Sequence, residues 1–137
     1  LLWCAKGQAP AIWETPWGKV GIGICYDTYQ FPELIRYYAA RGCRLYLNCT
    51  AQAGQADTPR AAERFRQYYF STLEAAALSN EIFLASSNLC GQEQGTHFGG
   101  GRLVIGPVPR AAGREEDPYC KVYAGGLAKK IRADAIY

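Results

Sequence analysis

Trp17-Gly-Lys-Val-Gly-Ile-Gly-Ile-Cys-Tyr-Asp-Thr-Tyr-Gln-Phe-Pro-Glu-Leu34 runs a strand pattern into a helix start, with a cysteine at the junction. After Lys19, the residues Val20, Ile22 and Ile24 alternate with small glycines in a short β-branched run, which reads as a buried strand ending at Cys25. Pro32 suits the first helical position, where its missing N–H costs nothing, and Glu33 beside it places negative charge at the positive end of the helix dipole. The residues between, Tyr26 to Phe31, are too few for anything but a turn. The Cys25 thiol then stands at a strand end facing backbone donors, a setting that suits a nucleophile.

Working outward, residues 10–15 and the run to Cys25 read as two strands joined by the Pro16-Trp17-Gly18 turn. Downstream, Leu34, Ile35, Tyr38 and Ala39 recur at helical spacing, Arg41 falls in the last turn, and Gly42 stands where a left-handed residue closes helices. Arg44 to Cys49 is the next strand, so residues 18–49 make a strand-helix-strand unit whose strands are expected to be parallel. Thr50 to Arg60 reads as a polar loop at the carboxyl end of a strand, the usual edge for ligand contacts in α/β sheets. Thr58-Pro59 opens a long helix to about Asn80, with Phe65, Tyr69, Leu73, Ala76 and Ala77 on one face. Further strands are expected at Glu81–Ser87, at Arg102–Ile105 and near Tyr119–Ala124, with a polar loop from Asn88 to His97.

The chain has 137 residues, 49% hydrophobic and 13% aromatic, enough for one packed domain over residues 1–137. No apolar run reaches the length of a membrane span and no charged-then-apolar leader opens the chain, so the expectation is a soluble, cytoplasmic protein. There is no methionine and the chain opens in Leu-Leu-Trp-Cys, which suggests a fragment whose beginning is lost. The six cysteines (Cys4, Cys25, Cys43, Cys49, Cys90, Cys120) are irregularly spaced in a core-rich chain and read as reduced thiols. No C-x-x-C pair exists and His97 has no cysteine at ligand spacing, so neither a metal nor a cofactor is expected. The net charge of +3 is dispersed and does not imply nucleic acid.

Gly21-x-Gly23 precedes a strand end instead of following it, which argues against a phosphate loop. Gly99-Gly100-Gly101 reads as a bend or a close backbone contact that could border a pocket. His97 is a candidate base for Cys25, although sequence spacing says nothing about proximity. The arginines of the long helix read as a solvated face.

Gly-Ile-Cys25-Tyr-Asp-Thr-Tyr-Gln-Phe-Pro-Glu-Leu34 closely resembles the nucleophile motif I-C-Y-D-x-x-F-P-E-L of the nitrilase superfamily of carbon-nitrogen hydrolases, with one extra residue before Phe31. Pro16-Trp17-Gly18-Lys19-Val20-Gly21 is similar to the family's preceding strand, Ser79 to Asn88 to its helix-to-strand passage, and Phe98 to Pro107 to its later strand and turn. The long helix departs from the family's R-A-x-E-N ending, since Ala76 to Asn80 lacks the arginine and the glutamate, so a structural ion pair is expected to be missing. Arg102, or Gly101 with a one-residue shift, stands where the family's later strand usually opens with serine.

The resemblance implies an α-β-β-α four-layer sandwich in the complete protein, of which this chain supplies roughly the C-terminal half, the N-terminal part being missing. It implies a Glu-Lys-Cys triad in which Cys25 is the nucleophile, while the glutamate and lysine lie N-terminal to this chain. It further implies that the Tyr26 backbone N–H helps hold the oxyanion. Asp27, Phe31 and Glu33 are candidate supports of the elbow, and Thr50 and Ala51 candidate pocket residues. The expected substrate is a small amide or carbamoyl compound, because Tyr26-Asp27 follows the cysteine where nitrilases more often resemble C-W-E; a cyano substrate is the alternative. The complete protein is expected to be a homo-oligomer. A reading from another class is an inert fragment or interaction remnant, since two triad members are absent. A third makes Cys25 a redox-sensing thiol, for which no resolving cysteine lies near it in sequence.

Overall fold

In the computed structural model, which describes residues 5, 7–53, 58–107 and 120–122, one mixed sheet carries three helices on a single face. Strands β1 (Ile12–Thr15) and β2 (Gly18–Ile24) form the expected antiparallel hairpin. Its turn is tied by the Thr15 hydroxyl donating to the Gly18 carbonyl at 2.7 Å. After helices α1 (Tyr26–Gln30) and α2 (Pro32–Ala40), strand β3 (Cys43–Thr50) returns parallel to β2, pairing Ile22 with Leu47 and Ile24 with Cys49. Helix α3 (Pro59–Ser79) crosses to β4 (Phe83–Asn88), again parallel to β3. A two-stranded hairpin, β5 (Cys90–Glu93) and β6 (Thr96–Gly99), precedes β7 (Arg102–Ile105), antiparallel to β4, and β8 (Cys120–Val122) pairs parallel to β7. The main sheet runs β1-β2-β3-β4-β7-β8.

The core lies between the helices and one sheet face. Ile35 and Tyr38 of α2, with Tyr69, Leu73 and Ala77 of α3, pack on Tyr46, Leu84, Leu103 and Ile105. The glycines of β2 are part of this packing. A Cβ at Gly21 would lie 2.5 Å from the Tyr38 ring, and one at Gly23 would overlap the Tyr46 hydroxyl. Two tyrosine rings therefore lie directly on the β2 backbone, the close approach that glycine in a strand permits.

The caps explain where the long elements stop. Thr58 accepts from the Ala61 N–H at 3.1 Å and Pro59 occupies the first turn, as the sequence implied. Gly42 follows α2 in the left-handed conformation, φ 82°. At the far end of α3, Arg36 of α2 donates to the Ser79 carbonyl at 2.9 Å. A cation thus reaches the α3 C-terminus from a neighbouring helix, where the resemblance led us to expect only a missing ion pair.

Two local expectations are corrected. Residues 26–30 form a helical turn, because the Thr28 N–H closes on the Cys25 carbonyl at 3.0 Å and the Thr28 side chain is anchored in the core, 3% exposed. Residues 90–99 form a hairpin instead of a loop. Its residues are polar and almost all exposed, so no apolar alternation announces it.

Candidate functional site

Cys25 sits at the hinge between β2 and α1. Its backbone has φ 47° and ψ −106°, a conformation a residue with a Cβ rarely adopts and that costs on the order of 1–3 kcal/mol. The strand ladder and the helical turn hold it there together. The Cys25 N–H donates to the Cys49 carbonyl at 2.9 Å, continuing the β2–β3 ladder, and its carbonyl accepts from Thr28. Such a strained strand-to-helix turn lifts a side chain out of the sheet edge.

Among the described residues, the half-buried thiol has one side-chain hydrogen-bond partner, the hydroxyl of Thr50, which donates to Cys25 Sγ at 3.0 Å. Thr50 ends β3, is 8% exposed, and is fixed by its carbonyl accepting from the Leu89 N–H at 2.9 Å. Asn88, at the end of β4, ties the surrounding loops together. Its side chain accepts from the Gln52 N–H at 2.8 Å and donates to the Gln52 and Gly100 carbonyls at 3.2 and 2.8 Å.

Beneath Thr50 lies a buried polar cluster. Thr28 donates to Asn48 Oδ1 at 2.7 Å and sits 2.7 Å from the Tyr46 hydroxyl. Asn48 Nδ2 donates to Ser86 Oγ at 2.8 Å and to the Tyr29 hydroxyl at 3.3 Å. Tyr69 lies 2.8 Å from Ser86 Oγ. Burial, then the nearby Tyr69, pushes the Tyr29 phenol well above its ordinary range, and burial pushes Tyr46 up to about 12 and Tyr69 upward. These phenols stay protonated at neutral pH.

Of the sequence candidates, the structure brings Thr50 to the thiol and leaves the others around it. Tyr26 and Phe31 are exposed and meet edge to face, with ring centroids 5.8 Å apart. Asp27 and Glu33 stand exposed in the first turns of α1 and α2, and Ala51 is exposed just past Thr50. His97 lies on β6, lining a cavity of about 540 Å³ with Ser87, Asn88, Cys90 and Arg102, and no hydrogen bond joins it to Cys25 among the described residues. The glycines 99–101 line the same cavity. Among the described residues no group of histidine, cysteine and carboxylate side chains could hold a metal ion.

Asn48, Ser86, Thr28 and Tyr29 escaped the sequence reading. The available signal was polarity out of place: Asn48 interrupts an apolar strand, and Ser86 sits opposite it in the neighbouring one. Buried polar side chains of this kind need partners, and those partners converge under the thiol.

The carbon-nitrogen hydrolase family model matches residues 2–114. An omega-amidase of Xenopus tropicalis is 32% identical over 116 residues, covering 82% of this chain and 39% of that protein. The omega-amidase of Bos taurus is 30% identical over 131 residues, covering 93% of this chain and 43% of that protein. Among solved structures, an amidase mutant from Nesterenkonia sp. AN1, carrying the acetamide moiety of fluoroacetamide on its active-site cysteine, superimposes with a TM-score of 0.62 at 36% identity. That match covers 76% of this chain and 36% of the amidase. The chain therefore spans about two fifths of the length of these relatives.

Proposed function

The chain belongs to the carbon-nitrogen hydrolase family, and from that premise we propose that the complete protein hydrolyses a non-peptide carbon-nitrogen bond, with Cys25 as nucleophile. The observation that carries the reading is the strained Cys25 hinge with the Thr50 hydroxyl directed at Sγ. The Nesterenkonia amidase, modified covalently on its active-site cysteine, supports it.

In this reading Cys25 Sγ attacks the carbonyl carbon of a small amide or carbamoyl substrate. The carbonyl π electrons move to oxygen, and the tetrahedral intermediate collapses by expelling the protonated nitrogen as ammonia or an amine. The resulting thioester is cleaved by water, releasing the acid and the free thiol. The Tyr26 N–H, in the first turn of α1 where no helix carbonyl can accept from it, stabilises the oxyanion, a contribution of about 3 kcal/mol for such a donor. A glutamate and a lysine carried outside these 137 residues supply the base and a second oxyanion contact. Asp27, Phe31 and Glu33 shape the elbow, and Ala51 borders the substrate.

The omega-amidases and amidases among its relatives favour an amide over a nitrile. Among the described residues no helix is long and apolar enough to cross a membrane. A cytoplasmic location and a homo-oligomeric state of the complete protein belong to the same proposal. The test is Cys25→Ala in the complete protein: ammonia release from short amides is lost while the thermal midpoint is unchanged. Retained turnover would overturn the assignment.

A further inference from the structure

The hydroxyl and amide protons beneath Cys25 run in a determined direction. Thr28 has a single hydroxyl proton and gives it to Asn48 Oδ1, so the Tyr46 hydroxyl, 2.7 Å from the Thr28 oxygen, is the donor of that pair. With Oδ1 occupied as acceptor, Asn48 turns Nδ2 toward Ser86 and Tyr29 and donates to both. The Tyr29 oxygen therefore accepts. Ser86 Oγ accepts from Asn48 and lies 2.8 Å from the Tyr69 hydroxyl. Two residues past Asn48 on the same strand, Thr50 points its own proton at Cys25 Sγ, 3.0 Å away.

We propose that Thr50 is a further catalytic residue: its hydroxyl, on a strand end fixed by the buried Asn48 bonds two residues before it and by the Leu89 N–H on its own carbonyl, holds the Cys25 sulfur in place and stabilises its anionic form before attack. No proton is transferred to the sulfur; the Thr50 hydrogen keeps its oxygen and only its direction is set. A hydrogen bond to a charged sulfur is stronger than one between neutral groups. Because Thr50 is buried, its dipole is oriented by the protein before the reaction and need not be reoriented during it.

The inference rests on Cys25 being the nucleophile, and its test reads the sulfur directly. In the complete protein, acrylamide addition to Cys25 is followed by peptide mass spectrometry at one fixed pH, alongside kcat and KM for butyramide. Thr50→Val keeps the side-chain shape and lowers both the alkylation rate and kcat by about tenfold, the scale of one hydrogen bond to a charged group, with KM within about twofold. Thr50→Ser restores the hydroxyl and the rates. Wild-type alkylation in Thr50→Val, or a Thr50→Ser variant as slow as Thr50→Val, would overturn the proposal. Should Thr50→Val fail to fold, Thr50→Ala decides, and an unchanged alkylation rate there overturns it. Ammonia release surviving in Cys25→Ala would remove the hydrolase reading, while the alkylation rates would still report on Thr50.

Discussion

Three phenols within one buried cluster give the protein a distinctive alkaline response. Tyr46 is fully buried and its folded-state ionisation is pushed up to about 12 by burial, while Tyr29 and Tyr69 are also raised, first by burial. In the unfolded chain a tyrosine titrates near 10, so above about pH 10 the unfolded state loses protons that the folded state retains. The stabilisation is fully present below that pH and is lost as pH rises through the folded values. The expected outcome is a stability of the complete protein that declines from about pH 10 upward, each buried phenol adding up to about 1.4 kcal/mol per pH unit to the slope. Denaturant midpoints measured from pH 8 to 11 check this, and Tyr46→Phe flattens the decline; a flat profile in the parent protein would contradict the buried-phenol account. The hinge was legible at this scale, because Cys25 falls at a strand-to-helix passage. The buried polar cluster near Thr50 was not, because Thr28, Tyr29, Asn48 and Ser86 come from three separate elements, and their partnership exists only once β2, β3 and β4 are in register.

Secondary-structure elements were readable where the chain punctuates itself. Thr58-Pro59 starts α3 and Gly42 follows α2, since capping chemistry is local and travels with the sequence. It was unreadable where tertiary contacts decide: α1 is held as a helix by the buried Thr28, and the β5–β6 hairpin carries no hydrophobic alternation. The parallel order of β2, β3 and β4 was anticipated for its first pair from the size of the intervening unit. The value of local punctuation can be measured. Thr58 is exposed, and its hydroxyl serves only the Ala61 N–H among the hydrogen bonds of the described residues. Thr58→Ala is therefore expected to destabilise the complete protein by about 1 kcal/mol, and Thr58→Asp to restore it. Equilibrium unfolding of the two variants distinguishes a cap from an incidental contact, since an incidental contact predicts no loss with alanine.

At the scale of the whole molecule, the helices among the described residues cover one face of the sheet. On the other face the register lines up Val20 with Leu45 and Phe83, then Ile22 with Leu47 and Ala85. Trp17 is 72% exposed and Ile24 65% exposed on the β1–β2 side of the molecule, and a groove of about 280 Å³ runs between Trp13, Trp17, Leu45, Leu47 and Phe83. A sheet with one apolar face that no described helix covers is half of a layered arrangement, and exposed apolar surface of this kind drives association. The chain also spans about two fifths of its relatives' length, which fits a second layer being built from sequence outside it. The isolated 137 residues are accordingly expected to self-associate through this face. Light scattering should show particles larger than a monomer, and the fluorescence of Trp13 and Trp17 should shift to the blue as concentration rises. Ile22→Lys and Leu47→Lys place charge in the middle of the face, where burying it is costly, and should return the chain toward a monomer with red-shifted emission. A monodisperse monomer of the unsubstituted chain would mean that this face does not need a covering layer, and the sandwich reading of the complete protein would lose its physical basis.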